Sequence, residues 1–184
     1  MQRKTLSTAL AAAALTSILA ACATAQMAPM YDQAALPDAV KVPAGNKVAM
    51  ETVGVGEITY ECRDKKDAAG QYEWVFVGPD AALNDRSGKK MGKYFGPPAT
   101  WESMDGSKLT GAQVAVAPAG AGNIPSQLVK ANPAIGTGAM TGVTYIQRVA
   151  TKGGTAPAMA CDAASKGKKE IVKYQADYIF YKAS

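Results

Sequence analysis

Apolar and polar residues alternate with a period of two through most of this chain, and that alternation predicts strands. Ile58, Tyr60 and Cys62 fall on one side of a segment whose other side is Glu57, Thr59 and Glu61. Tyr72, Trp74 and Phe76 alternate with Glu73, Val75 and Val77 before Gly78-Pro79-Asp80 interrupts the run. Further on, Val143, Tyr145, Gln147 and Val149 share one face, and Thr144, Ile146 and Arg148 share the opposite one. The last run is the longest. Val172, Tyr174, Ala176, Tyr178 and Phe180 line one face, while Lys173, Gln175 and Asp177 sit beside Ile171, Ile179 and Tyr181 on the other. Its regularity predicts a central strand. Val48-Ala49-Met50 and Val114-Ala115-Val116 read as shorter strands.

Turn chemistry separates these runs. Asn84-Asp85-Arg86-Ser87-Gly88 and Asp105-Gly106-Ser107 read as hairpin connections. Residues Ala117 to Ala139 form a long Gly/Ala/Pro-rich stretch in which a short helical turn is expected at Pro125 to Ala131, where proline suits the first turn. After the first 25 residues there is no long amphipathic helix and no internal repeat. The expectation is an all-β fold: an antiparallel β-sandwich or small barrel of six to nine strands, with at most one short helix.

The N-terminus has a different pattern. Arg3 and Lys4 precede an apolar stretch from Leu6 to Ala21 that is short for a membrane span and has the form of a secretory leader. The leader ends in Leu19-Ala20-Ala21-Cys22, the form of a bacterial lipobox, which makes Cys22 the expected lipid attachment. Ala23-Thr24-Ala25 offers an alternative cut that would release a soluble protein beginning at Gln26, and a buried N-terminal helix with a chance cysteine is a third reading. The first reading gives a leader over 1–21, a flexible tether over 22–45 with a turn near Leu36-Pro37-Asp38, and one β domain over 46–184. It places the protein in the cell envelope, held in a membrane by its lipid. Ala23, not Asp, after the cysteine favours the outer membrane. The alternative is secretion in soluble form.

Composition adds exclusions. The 184 residues contain no histidine, which removes Ser-His-Asp and Cys-His catalysis, His-containing zinc and copper sites and the two-His iron site. No aspartate-rich loop has calcium spacing, so neither a metal nor a cofactor is expected. Without Arg3 and Lys4 the charge balance is 18 basic against 15 acidic residues, with no basic stripe suited to nucleic acid. Gly54-Val55-Gly56 lacks the third glycine and the following helix of a dinucleotide loop. Of three cysteines, lipid on Cys22 leaves Cys62 and Cys161, for which an oxidising compartment favours one disulfide; two separate buried thiols are the other reading.

Six side chains could form a ligand site. Tyr94, Trp101 and Tyr145 could stack on a sugar or a phenol, although aromatic residues more often pack a core. Glu102 and Asp105 could act as a carboxylate pair, or merely face solvent beside a turn. Arg148 could bind a carboxylate ligand, though pairing with an acid across the sheet is the expectation. No catalytic residue is assigned. The leading expectation is a non-catalytic domain that binds a protein or small molecule or serves a structural role; the alternative is a secreted enzyme using carboxylates or tyrosines on envelope or extracellular polymers.

Several ordered blocks resemble a bacterial and fungal family of unknown function, DUF3455, from about Val42 to Lys182. They are Gly54-Val55-Gly56-Glu57-Ile58-Thr59-Tyr60-Glu61-Cys62, Tyr72-Glu73-Trp74-Val75-Phe76, Thr100-Trp101-Glu102 with Asp105-Gly106-Ser107, Val143 to Val149, Gly153-Gly154-Thr155-Ala156-Pro157 and Tyr174 to Tyr181. The resemblance implies a secreted β domain bridged between Cys62 and Cys161, and no activity. The chain departs from the family at Gly92-Lys93-Tyr94-Phe95, where a histidine often stands third, and at Ile124-Pro125-Ser126, where a tryptophan often follows the proline.

Overall fold

The computed structural model describes residues 32–184; the leader and Cys22 lie outside the described residues. Eight antiparallel strands run up and down and close into a barrel, the last pairing with the first. They are β1 (Asn46–Asp64), β2 (Tyr72–Asn84), β3 (Lys90–Phe95), β4 (Thr100–Ser103), β5 (Lys108–Ala117), β6 (Ser126–Ala131), β7 (Val143–Gly153) and β8 (Lys169–Ala183). Helical structure among these residues is confined to 3-10 turns at Gln33–Ala35 and Asp38–Val40. Of the two all-β architectures expected, the barrel is the one formed.

The alternation seen in the sequence becomes the inside and outside of this barrel. Ile58 and Tyr60 of β1, Ala81 and Leu83 of β2, and Tyr174, Ala176, Tyr178 and Phe180 of β8 all enter one interior cluster. Tyr94, Trp101, Leu109, Val129 and Ile146 fill it from the other strands. Bulges bend the walls, between Thr59 and Tyr60 in β1 and between Gln113 and Ala115 in β5, among others. A bulge between Val143 and Tyr145 also changes a face. It turns Val143 into the interior, away from Tyr145, with which simple alternation grouped it. Gly54 and Gly56 stand inside β1, not in a nucleotide loop. A Cβ at Gly54 would strike the Tyr178 ring, so the glycine is what lets that ring lie against the wall.

The segment expected to start a helix at Pro125 is instead β6, whose residues pair with β5 on one side and β7 on the other. Its weak local preference yields to two ladders of backbone hydrogen bonds, and only with β6 in place does the barrel close. The packed unit also begins before residue 46. Val40 is fully buried beside Ala117 and Leu128. Leu36 and Val42 also pack on the outer wall, against Val149, Ile179 and Tyr181. The buried amide of Gln147 holds this strap: its Nε2 donates to the Val40 carbonyl at 2.5 Å and to Gln33 Oε1 at 3.0 Å. Gln33 Nε2 donates in return to Gln147 Oε1 and to the Tyr181 hydroxyl, both at 2.9 Å.

The two ends of the barrel differ. One end carries the connections 85–89, 104–107 and 132–142, and Leu83, Leu109, Met140, Val143 and Phe180 pack inside it. The other end carries the connections 65–71, 96–99, 118–125 and 154–168. The disulfide between Cys62 and Cys161 ties the longest of these to β1, with the two Cα atoms 5.5 Å apart. Trp74 assists by donating its Nε1–H to the Met159 carbonyl at 2.9 Å.

The bridge spans 99 residues, so replacing both cysteines by serine is expected to destabilise the fold by about 2–5 kcal/mol. A urea titration of the variant against the native protein checks this. A midpoint unchanged within error would mean that the loop end is held without the bridge.

Candidate functional site

At the looped end, between β2 and β7, the interior is not filled. A cavity of about 380 Å³ opens there, within the range of about 300–1,000 Å³ typical of small-molecule sites. Phe76, Tyr94, Pro97, Trp101, Val129 and Arg148 contribute to its wall. Barrel register explains the gathering. Tyr94 and Trp101 are direct cross-strand partners on β3 and β4, and Arg148 lies two residues beyond the inward Ile146 on β7.

Aromatic rings dominate the wall. Tyr94 stacks on Trp101 with centroids 4.7 Å apart and leans on Tyr178 at 5.0 Å. Phe76 meets Tyr60 edge-on at 6.1 Å and is half exposed at the rim. Trp101 is 1% exposed, and its Nε1–H has no hydrogen-bond partner among the described residues. An indole N–H buried in this way costs about 1–3 kcal/mol relative to one that is satisfied.

Among the described residues, Arg148 is the only charged one lining the cavity. It does not form the cross-sheet ion pair expected from its place on a strand. Its neighbours in register, Gln127 and Tyr178, carry no charge, and its Nε and Nη2 donate instead to the Pro125 carbonyl at 3.2 and 2.9 Å. The guanidinium acts on four tyrosines. Burial pushes the hydroxyl pKa values of Tyr60, Tyr94, Tyr174 and Tyr178 upward, and the nearby positive charge of Arg148 partly offsets each rise. The Tyr174 and Tyr178 hydroxyls meet at 3.2 Å.

The other candidates lie elsewhere. Tyr145 is on the outer wall with Leu36 and Val42, so it shares no face with Tyr94 and Trp101. Glu102 points away from the interior and faces Lys93 at 3.5 Å. Asp105 is a staple at the opposite end. Its Oδ1 accepts from the Ser107 hydroxyl at 2.6 Å and its Oδ2 from the Ala139 amide at 2.7 Å. The Ser107 hydroxyl, then these backbone amides, lower its pKa to about 2. Glu102 and Asp105 therefore do not work as a pair. Among the described residues, no three His, Cys, Asp or Glu side chains are placed to hold a metal ion. A wider, open groove of about 760 Å³ runs past Glu57, Asp80, Lys152 and Lys173, but there Lys173 pairs with Glu57. Phe76, Gln113 and Gln127 of the cavity wall escaped sequence reasoning. Only their inward or rim position on neighbouring strands unites them.

Tyr181 has its pKa pushed up to about 12, by burial first and then by the negative charge of Glu51. For this group and for Tyr60, Tyr94, Tyr174 and Tyr178 the native pKa lies above the unfolded value near 10. Their contribution to stability is therefore complete below pH 10 and is lost as pH rises through the native values. In an alkaline titration, tyrosinate absorbance of the native protein is expected to lag behind that of the urea-unfolded chain. The urea midpoint should fall above pH 10. Coincident titration curves would contradict the burial of these rings.

No curated protein and no solved structure matches the chain. One family model does, described as a protein of unknown function (DUF3455), and it covers residues 43–182, the whole barrel. The span agrees with the ordered blocks noted in the sequence and with the bridge between Cys62 and Cys161. This chain belongs to the DUF3455 family.

Proposed function

We propose that this protein is an exported envelope protein, anchored by lipid on Cys22, whose barrel binds a small molecule at its looped end without transforming it. The cavity beside Tyr94, Trp101 and Arg148 carries the binding part of this reading. Among the described residues its lining has one charged side chain, Arg148, set among mostly apolar groups. Those are features of recognition. The two acids that an enzyme of the carboxylate type would use, Glu102 and Asp105, are engaged outside it. Export is supported by the leader and lipobox and by a disulfide of the kind that persists in oxidising compartments.

In this reading the lipid holds the N-terminus at a membrane, the outer membrane by the residue after Cys22, and the strap of residues 33–42 joins anchor to barrel. The partners are then a lipid bilayer and a small ligand, with no nucleic acid and no cofactor.

Two measurements test the two halves. Intact mass of the protein purified from membranes should show a chain that starts at Cys22, carries acyl chains and lacks two hydrogens for the disulfide. An unmodified chain starting at Gln26 would mean simple secretion. Thermal unfolding in the presence of a panel of neutral, cationic and anionic aromatic compounds should reveal at least one that raises the transition in a dose-dependent way. If no compound in such a panel moves it, the binding half fails.

A further inference from the structure

Resting on the ligand-binding reading, we infer that the ligand is a small planar organic anion, an aromatic carboxylate, held by Arg148. The cavity wall contains one cation and no carboxylate to neutralise it. Of the five N–H donors on the guanidinium, one on Nε and one on Nη2 are directed to the Pro125 carbonyl. The Nη1 pair and the second Nη2 hydrogen remain, and that edge is the fork that grips a carboxylate with two parallel hydrogen bonds. No acidic side chain among the described residues forms an ion pair with Arg148.

The wall shape selects what the carboxylate is attached to. Tyr94 and Trp101, stacked on each other with planes 22° apart, form part of one wall. Phe76, Pro97 and Val129 add apolar surface around them. A flat aromatic body fits such walls better than a branched or heavily hydroxylated one, because stacking and apolar contact replace water without leaving polar groups unpaired. At about 380 Å³ the cavity admits one or two fused rings with a carboxylate and excludes a polymer chain.

The tyrosines strengthen the choice of anion over phenolate chemistry. Their hydroxyls stay protonated across the physiological range because burial raises their pKa. Of these, Tyr94 lines the cavity as a neutral group, and among the described residues Arg148 is its only charged one. Asp80 lies close enough to Tyr174 to add to that rise, but it belongs to the outer groove and does not line the cavity.

The test compares sodium 2-naphthoate with its neutral isostere 2-naphthamide by isothermal titration calorimetry on the purified protein. Naphthoate should bind at least about tenfold more tightly, the factor a charge-assisted hydrogen-bonded contact supplies. Arg148→Met should remove that preference, with a urea midpoint close to that of the native protein showing that the variant is folded. In a proton–nitrogen NMR spectrum the Trp101 indole signal should shift with naphthoate. The Trp74 indole, already bonded to Met159, should stay in place. Equal affinity for the two probes, or a preference that survives in Arg148→Met, would overturn the anion assignment and leave the ligand-binding reading standing. Failure of both probes, while a neutral or cationic compound of the panel binds, would do the same. Failure of every compound would sink both.

Discussion

The ladder between β1 and β8 is the constraint from which the rest of this structure follows. It runs from Asn46 opposite Ala183 to Glu61 opposite Lys169 and turns a meander into a closed wall. Closure leaves no edge strand exposed and gives every strand a defined inside. An eight-stranded barrel has an interior that side chains can just fill. Here large rings fill most of it, with Trp101, Tyr178 and Phe180 among the most deeply buried residues. What they leave open is the cavity. Closure also explains why Arg148 is where it is. A residue two positions from Ile146 on an inward face cannot swing to the outside without breaking the register of β7 against both neighbours.

The two ends of the barrel divide stability from recognition. Asp105, Ser107 and Met140 hold one end, where hydrogen bonds tie the 104–107 turn to the 132–142 connection. The longest connection, 154–168, sits at the other end, and such loops usually carry function when a rigid scaffold positions them. The disulfide and the Trp74–Met159 hydrogen bond restrain it. Tyr60 adds a third tie by donating its hydroxyl to the Gly154 carbonyl at 2.8 Å. Gly154 itself has φ +82° and lies against Ile58, Ile124 and Tyr174, where a side chain would neither fit nor adopt that backbone. A rim held this firmly costs a ligand little ordering on entry.

Much of the fold was legible from period-two alternation, because a strand buried on one side has to show it. The inward set of β8, Tyr174 to Phe180, and the turns at Asp85–Gly88 and Asp105–Ser107 were visible that way. β6 was not, because Ser126 to Ala131 has no clean alternation and follows a proline; pairing on both sides makes it a strand. The strap at 33–42 was hidden for a related reason. Its anchor is one polar residue, Gln147, on a face that looked like an ordinary outer wall. At the site, the sequence named Tyr94, Trp101 and Arg148 among its candidates, and they share one cavity. It also grouped Tyr145 with the first two and expected an acid beside Arg148. Alternation tells which side of a strand a residue takes, but not which residues of distant strands face one another across a barrel.

Amide hydrogen exchange under native conditions tests closure most directly. If β1 and β8 form one continuous seam, the amides paired along it, such as those near Val53 and Asp177, exchange only when the whole domain unfolds. They should then share the protection of the β7–β8 ladder and the global free energy of unfolding. Markedly faster exchange along the β1–β8 seam than along β7–β8 would show an open sheet with two edges, and the enclosed cavity would go with it.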